Sequence, residues 1–281
     1  MNVRVVTLNV WNDEGSPDRI GRVNRELRRL RPDLVAFQEI THAAGREQLP
    51  RLLEGTGLAG KHQSEVQAAA PPFADRYGGT AVASRWPLRV VEVLDLRVAG
   101  ARDVPWATLA ASVEVPSLGP VLFITAATSW RLAAEAAREQ QAVAIADLDA
   151  RHRQELPSII AGDFNAAPDS ASIRFLTGRQ SLNGRSVHYH DAWAIAGEGP
   201  GFTWSHRNPN AAGDLELLVR QPGHERRIDY VLVGGADAHP RGRARVKAAS
   251  LCFDAPVDGE WASDHFGVMA DLEVEKVGAA R

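Results

Sequence analysis

The chain has 281 residues, 44% of them hydrophobic and 24% charged, with 32 basic and 35 acidic side chains giving a net charge of −3. One cysteine, Cys252, excludes a disulfide scaffold and a multi-cysteine zinc site. The acidic balance argues against a large duplex-DNA footprint, which needs a basic excess to replace displaced counterions.

Val3–Val10 reads as a buried strand, with no charged start, apolar run or cleavage site of a secretory leader before it. Ser16-Pro17 opens a helix over 17–31, whose Ile20, Val23, Leu27 and Leu30 recur at helical spacing until Pro32 stops it. Leu34–Phe37 is a second strand, ending at Gln38-Glu39. Strand, helix, strand opens an α/β layered fold.

The middle of the chain carries strand patterns at Thr80–Ser84, Leu88–Leu96, Trp106–Val115 and Val121–Thr128. The run from Val121 to Trp130 is about half of what a bilayer span requires, so no membrane span is expected. A long Ala-rich helix follows over Arg131–Arg151, then a strand at Ser158–Ala161 ending in Gly162-Asp163-Phe164-Asn165. Ser170 caps a short helix over 171–177. Later strands fall at Phe202–Ser205, Ile228–Val233, Arg243–Ala249 and Phe266–Val274. With no linker or repeat, residues 1–281 read as one mixed α/β domain, expected to be a cytoplasmic monomer.

Acidic and amide residues sit at the ends of these strands: Asn9, Glu39, Asp163 with Asn165, Asp229, and Asp264 with His265. Singly, each is an ordinary cap or turn residue. Together they offer hard oxygen ligands, which suit Mg²⁺ or Mn²⁺ rather than zinc. Phosphoryl transfer needs that equipment: a cation, an activated water and fixed donors. Gly162 lets the backbone beside Asp163 approach a ligand closely.

Six strings carry a resemblance: Thr7-Leu8-Asn9-Val10-Trp11, Pro32 to Glu39, Ala83 to Leu88, Gly162-Asp163-Phe164-Asn165, Arg227-Ile228-Asp229-Tyr230-Val231 and Ser263-Asp264-His265-Phe266. In this order the chain resembles the endonuclease/exonuclease/phosphatase family. The resemblance implies a four-layer α/β sandwich of two packed mixed β-sheets flanked by helices. It also implies a metal-dependent phosphoesterase. Glu39 would be the principal metal ligand, with Asn9 beside it and Asp264 completing the carboxylate set. Asp163 would align or deprotonate the attacking water and Asn165 would orient the phosphate. Asp229 would pair with His265, which would contact the phosphoryl oxygens. Asp163 and His265 both remain candidates for the formal base.

One departure stands out. Many members carry a Thr-His-Leu segment before the long helix; here Ala127 falls where that His would be. A methyl group transfers no proton, and losing a general acid costs roughly 10²–10⁴ in rate. Thr128, Ser129, Tyr77, His206 and Arg207 are candidate substitutes, and 206–226 reads as a substrate lid or a solvated loop. The substrate partner is a phosphate ester, either a small phosphorylated molecule or nucleic acid. A degenerate member that binds a phosphorylated ligand without turnover is the rival from another class, motivated by Ala127.

Other features carry less. His188 and His190 share one strand face but lack a third metal ligand. Trp11, Trp130, Trp193 and Trp204 either stack a base or fill the core. Arg241, Arg243, Arg245 and Lys247 alternate along one strand, as a phosphate track or a gatekeeping edge.

Overall fold

A computed structural model describes residues 1–43, 45–66, 78–97, 107–221 and 223–277. Tyr77, the Pro71-Pro72-Phe73 segment and Trp106 lie outside the described residues.

The strands form two six-stranded sheets. The first contains β1 (Asn2–Asn9), β2 (Leu34–Ile40), β3 (Ala59–His62), β4 (Gly79–Ser84), β13 (Gly242–Cys252) and β14 (Gly267–Lys276), in the order β13-β14-β1-β2-β4-β3. The second contains β5 (Leu88–Asp95), β6 (Ala107–Val115), β7 (Gly119–Ala127), β8 (Ile159–Asp163), β9 (Tyr189–Asp191) and β12 (Asp229–Gly234), in the order β5-β6-β7-β8-β12-β9. A two-stranded ribbon of β10 (Trp204–Ser205) and β11 (Glu225–Arg226) lies between β9 and β12 in sequence.

Each sheet has one parallel pair, β1 with β2 and β7 with β8, and the other pairings are antiparallel. Parallel neighbours need a crossover. Helix α1 (Arg19–Leu30) makes the first and α4 (Glu135–His152) the second, with the short helices α2 (Gln48–Leu53) and α3 (Gln63–Val66) between them in sequence. Helix α1 buries Ile20, Val23, Leu27 and Leu30, the residues spaced for it. It starts two residues later than Ser16-Pro17 suggests: the Ser16 hydroxyl accepts from the Asp18 amide, which holds the chain in a turn first. Helix α4 likewise starts at Glu135 rather than Arg131.

Three apolar clusters stack in layers. Val5, Leu34 and Val268 of the first sheet meet Leu109, Phe123 and Val231 of the second. The outer face of the first sheet packs Val6, Leu8 and Phe37 against Val23 and Leu27 of α1. The outer face of the second packs Leu122, Ile124 and Ile160 against Ile145 and Leu148 of α4. The order of layers is therefore helix, sheet, sheet, helix, the four-layer sandwich that the motifs imply. The central strands of each sheet, such as β2, β8 and β12, are buried on both faces, as their near-continuous apolar runs require.

Gly162 has a different reason from the one its place before Asp163 suggests. A Cβ there would lie 1.9 Å from the carbonyl oxygen of Ala126 on β7. The glycine serves contact between parallel strands, not approach to a ligand. The basic strand β13 is a charge-paired edge: Arg243 lies 3.2 Å from Glu275, and Arg245 lies 3.4 Å from Glu273. Among the described residues, no helix is long and apolar enough to cross a membrane.

Candidate active site

The topology brings the strand ends together. Asn9 closes β1 and Asp163 closes β8, each on a strand of a central parallel pair. Asp229 begins β12 directly opposite Asp163 in the antiparallel register. Asp264 and His265 immediately precede β14, which runs antiparallel to β1 and so delivers them beside Asn9. Glu39 lies where the β2–β4 register slips between Phe37 and Ile40. Such an irregularity re-aims one side chain out of the pleat.

Asn9 is the hinge of the cluster. Its side-chain amide donates to Glu39 Oε1 at 3.0 Å and to Asp163 Oδ2 at 3.2 Å. Asn12 donates to the other oxygen of Glu39, Oε2, at 3.2 Å. Asn165 donates through its backbone N–H to Asp163 Oδ1 at 2.8 Å and through its side chain to Asp163 Oδ2 at 3.1 Å. Asp163 is thus held at both oxygens. His265 Nδ1 lies 3.0 Å from Asp229 Oδ2, and its Nε2 lies 3.9 Å from Asp264 Oδ2. The Ser263 hydroxyl donates to the Asn9 carbonyl at 2.6 Å, tying the His265 loop to β1.

Four residues here have positive φ without being glycine: Trp11 at 62°, Asn12 at 35°, Glu39 at 52° and Asn165 at 49°. Such backbone is sparsely populated for L residues and tends to cluster at functional sites. All four line one cleft of about 480 Å³, together with Asp163, Asp264 and His265. Glu39 and Asp264 therefore share a single pocket. Trp130, Leu132, Leu217 and Ile228 form its apolar walls.

The charges crowd one another. Burial lifts the Glu39 carboxyl to about 8, and the neighbouring Asp264 and Asp163 carboxylates add to the rise against the Asn9 hydrogen bond. Burial, with Asp229 adding to it, lifts Asp163 to about 6. Burial also raises Asp264. Burial opposes a proton on His265, but the carboxylates of Asp229, Asp264 and Asp163 outweigh it and hold the imidazole well above its usual value.

This set of donors fits a divalent cation. Four carboxylates converge with too little positive charge among them, and Asp229 Oδ1 is buried with no partner. Among the described residues, Asp163, Asp229 and His265 are the group whose ligand atoms all lie within 4.8 Å of one another. His265 Nδ1 is already committed to Asp229, which favours an Asp–His pair there and leaves the oxygens of Glu39 and Asp264 as the other ligand set.

All seven strand-end residues named from the sequence come together here. Asn12 and Arg226 also line the cleft and carry no motif; Asn12 is signalled only by its tolerance for left-handed backbone after a strand end. Trp11, Trp130 and Trp204 line the cleft too, whereas Trp193 packs between the sheets. His188 and His190 meet edge to face and gain no third ligand among the described residues. Thr128 spends its hydroxyl on the Phe164 carbonyl, and His206 and Arg207 do not line the cleft.

A sequence model of the endonuclease/exonuclease/phosphatase family matches residues 6–265. No curated protein matches the chain by sequence. Solved structures do match in fold. Zebrafish (D. rerio) TDP2 complexed with a single-strand DNA product is similar with a TM-score of 0.72 and 18% identity, over 97% of this chain and 99% of that one. An endonuclease/exonuclease/phosphatase protein from Bacteroides vulgatus is similar at 0.69 and 19% identity, over 98% and 100%. One from Beutenbergia cavernae is similar at 0.67 and 21% identity, over 97% and 72%.

Proposed function

This chain belongs to the endonuclease/exonuclease/phosphatase family, and from that premise we propose that it is a divalent-metal-dependent hydrolase of a phosphate mono- or diester. The observation that carries the reading is the convergence of Glu39, Asp163, Asp229, Asp264 and His265 on one cleft, bridged by Asn9. Glu39 and Asp264, with Asn9 beside them, would hold Mg²⁺ or Mn²⁺, which when bound neutralises charge on the phosphate. Asp163, fixed at both oxygens, aligns or deprotonates the attacking water. Asn165 orients the phosphate. Asp229 orients His265 through Nδ1 and favours its protonated form, so that Nε2 faces the phosphoryl oxygens.

A small phosphorylated molecule suits the cleft better than a nucleic-acid strand. Arg226 is the one Lys or Arg among the described residues that line it, while Glu14 and Asp214 add negative charge at its rim. A strand-tracking site needs several cations. We take residues 1–281 as one catalytic domain, a monomer acting in the cytoplasm.

The test is turnover of a panel of phosphomonoesters, phosphodiesters and a single-stranded oligonucleotide, with Mg²⁺ and with chelator. Glu39→Ala, Asp163→Ala and His265→Ala are each expected to abolish turnover while the circular dichroism spectrum stays unchanged. Unchanged rates in chelator or in all three variants would defeat the reading. Steep loss of activity between 50 and 200 mM salt, roughly 10³-fold or more, would instead favour a nucleic-acid substrate. Multiple turnover of any ester removes the degenerate-binder alternative.

A further inference from the structure

Arg226 is the cation in the cleft that no motif announced. It sits on β11 opposite Trp204 of β10, and Trp204 in turn forms a backbone bridge with His265. The ribbon therefore ties the position of Arg226 to that of the catalytic imidazole.

Three other arginines of this region are neutralised in pairs. Arg227 lies 2.8 Å from Asp191, Arg207 lies 2.9 Å from Glu225, and Arg138 lies 2.8 Å from Glu135. Among the described residues, no carboxylate lies within 4.0 Å of the Arg226 guanidinium. One nitrogen, Nη2, donates to the Asn165 carbonyl at 2.7 Å. The left-handed backbone of Asn165 helps to set the direction of that carbonyl. The guanidinium is thus anchored at one nitrogen, with its remaining donors unspent on protein and its side chain lining the cleft.

The anchor also fixes which end of the cleft it occupies. Asn165 reaches the Thr128 carbonyl at 3.2 Å, next to Ala127. Through Asn165, Arg226 therefore stands on the side of the strand end that lacks an imidazole.

We propose that Arg226 is a catalytic residue that grips the phosphoryl oxygens of the ester with the free edge of its guanidinium, supplying the positive charge absent at Ala127. This rests on the phosphoesterase reading above. Arginine suits the task because its fork matches two phosphate oxygens and stays charged at any working pH. It is correspondingly unable to act as a general acid. In the step it serves, the oxygen of water bonds to phosphorus, its proton passes to the base of the cleft, Asp163 or His265, and the ester P–O bond breaks. The leaving oxygen keeps the electron pair and takes its proton from solvent.

The test uses bis(p-nitrophenyl) phosphate and p-nitrophenyl phosphate with Mg²⁺. Arg226→Ala is expected to lower kcat/KM by roughly 10²–10³, mostly in kcat, as loss of one fixed donor to a developing charge does. Guanidinium ion at millimolar concentration is expected to restore that variant at least tenfold, and Arg226→Lys to recover only part of the rate. Melting temperatures within a few degrees of wild type separate this from misfolding. Rates of Arg226→Ala within threefold of wild type overturn the proposal, as does a loss that neither guanidinium nor Lys relieves. Should wild type hydrolyse neither ester, the phosphoesterase reading is what fails. Thermal protection by inorganic phosphate then judges Arg226 alone: protection that is equal in wild type and Arg226→Ala overturns it, and protection lost only in the variant upholds it.

Discussion

Glu39 stores a measurable instability in the metal-free protein. Its carboxyl shifts from 4.5 to about 8 on folding, because burial and the Asp264 and Asp163 carboxylates penalise its charge. A raised carboxyl contributes fully to stability below pH 4.5, and that contribution is lost as pH rises through about 8. At pH 7 the group forfeits about 3 kcal/mol, at about 1.4 kcal/mol per pH unit above 4.5. That is a ceiling, since Glu39 is open to cleft water, which screens it. Glu39→Gln removes the charge and keeps an oxygen to accept from Asn9, but its amide meets the donor of Asn12. The net gain expected in chelator at pH 7 is about 1–2 kcal/mol. For 281 residues the melting entropy is about 0.6 kcal/mol/K, so the melting temperature should rise by about 2–3 °C. Calorimetry at pH 5 and pH 7 checks the sign, because the gain must shrink at pH 5, where wild-type Glu39 forfeits little. Mg²⁺ should raise the wild-type melting temperature at pH 7 and leave Glu39→Gln nearly unmoved. A variant equally destabilised at both pH values would refute the reasoning.

Asp229→Asn keeps the shape beside His265 but withdraws the charge 3.0 Å from Nδ1, and steady-state kinetics should show kcat/KM down roughly 10²–10⁴-fold. Gly162→Ala drives a methyl into the Ala126 carbonyl at 1.9 Å and should cost at least about 3 kcal/mol in urea unfolding. His62 is buried, and burial holds its imidazole at about 4 instead of 6.5, with Nε2 on the Ile40 carbonyl at 3.1 Å. A lowered imidazole contributes above pH 6.5 and loses its contribution as pH falls through about 4, so about 3 kcal/mol should vanish over that window. A His62→Gln variant should show a correspondingly flatter acid limb in chemical denaturation.

The strand ends were legible because period and punctuation coincide there: an apolar run meets a carboxylate or amide, which either lines the cleft or, like Asn9 and Asp229, hydrogen-bonds a residue that does. The long helices were legible in type and less so in their starts, because Ser16 makes a turn instead of a cap. The short strand β3 and helix Ala192–Ala196 escaped, being too brief to show a period. Arg226 escaped for another reason. It follows Glu225 and precedes Arg227, and charged neighbours in a Gly-containing excursion give no sign of which one turns inward. Only the ribbon pairing with Trp204 decides that. Left-handed backbone at Trp11 and Glu39 was likewise invisible, since neither residue type favours it.

That backbone and the crowded carboxylates have a common cause. Positive φ at a non-glycine residue costs of order 1–3 kcal/mol, and it persists only where the surroundings over-determine it. Glu39 is fixed from behind by Phe37 and Ile40, both fully buried against α1 and its neighbours. Asn165 is fixed by Phe164 and Ala166, buried against α4 and α5 (Ala171–Leu176). Neither residue could relax to an ordinary conformation without withdrawing a core side chain, whose exposure costs about 1.5–3 kcal/mol. The two outer apolar layers therefore do more than stabilise the sandwich. Each holds one rim of the cleft in a conformation that the chain would abandon if left alone, and so keeps the carboxylates of Glu39 and Asp163 turned toward the same cleft.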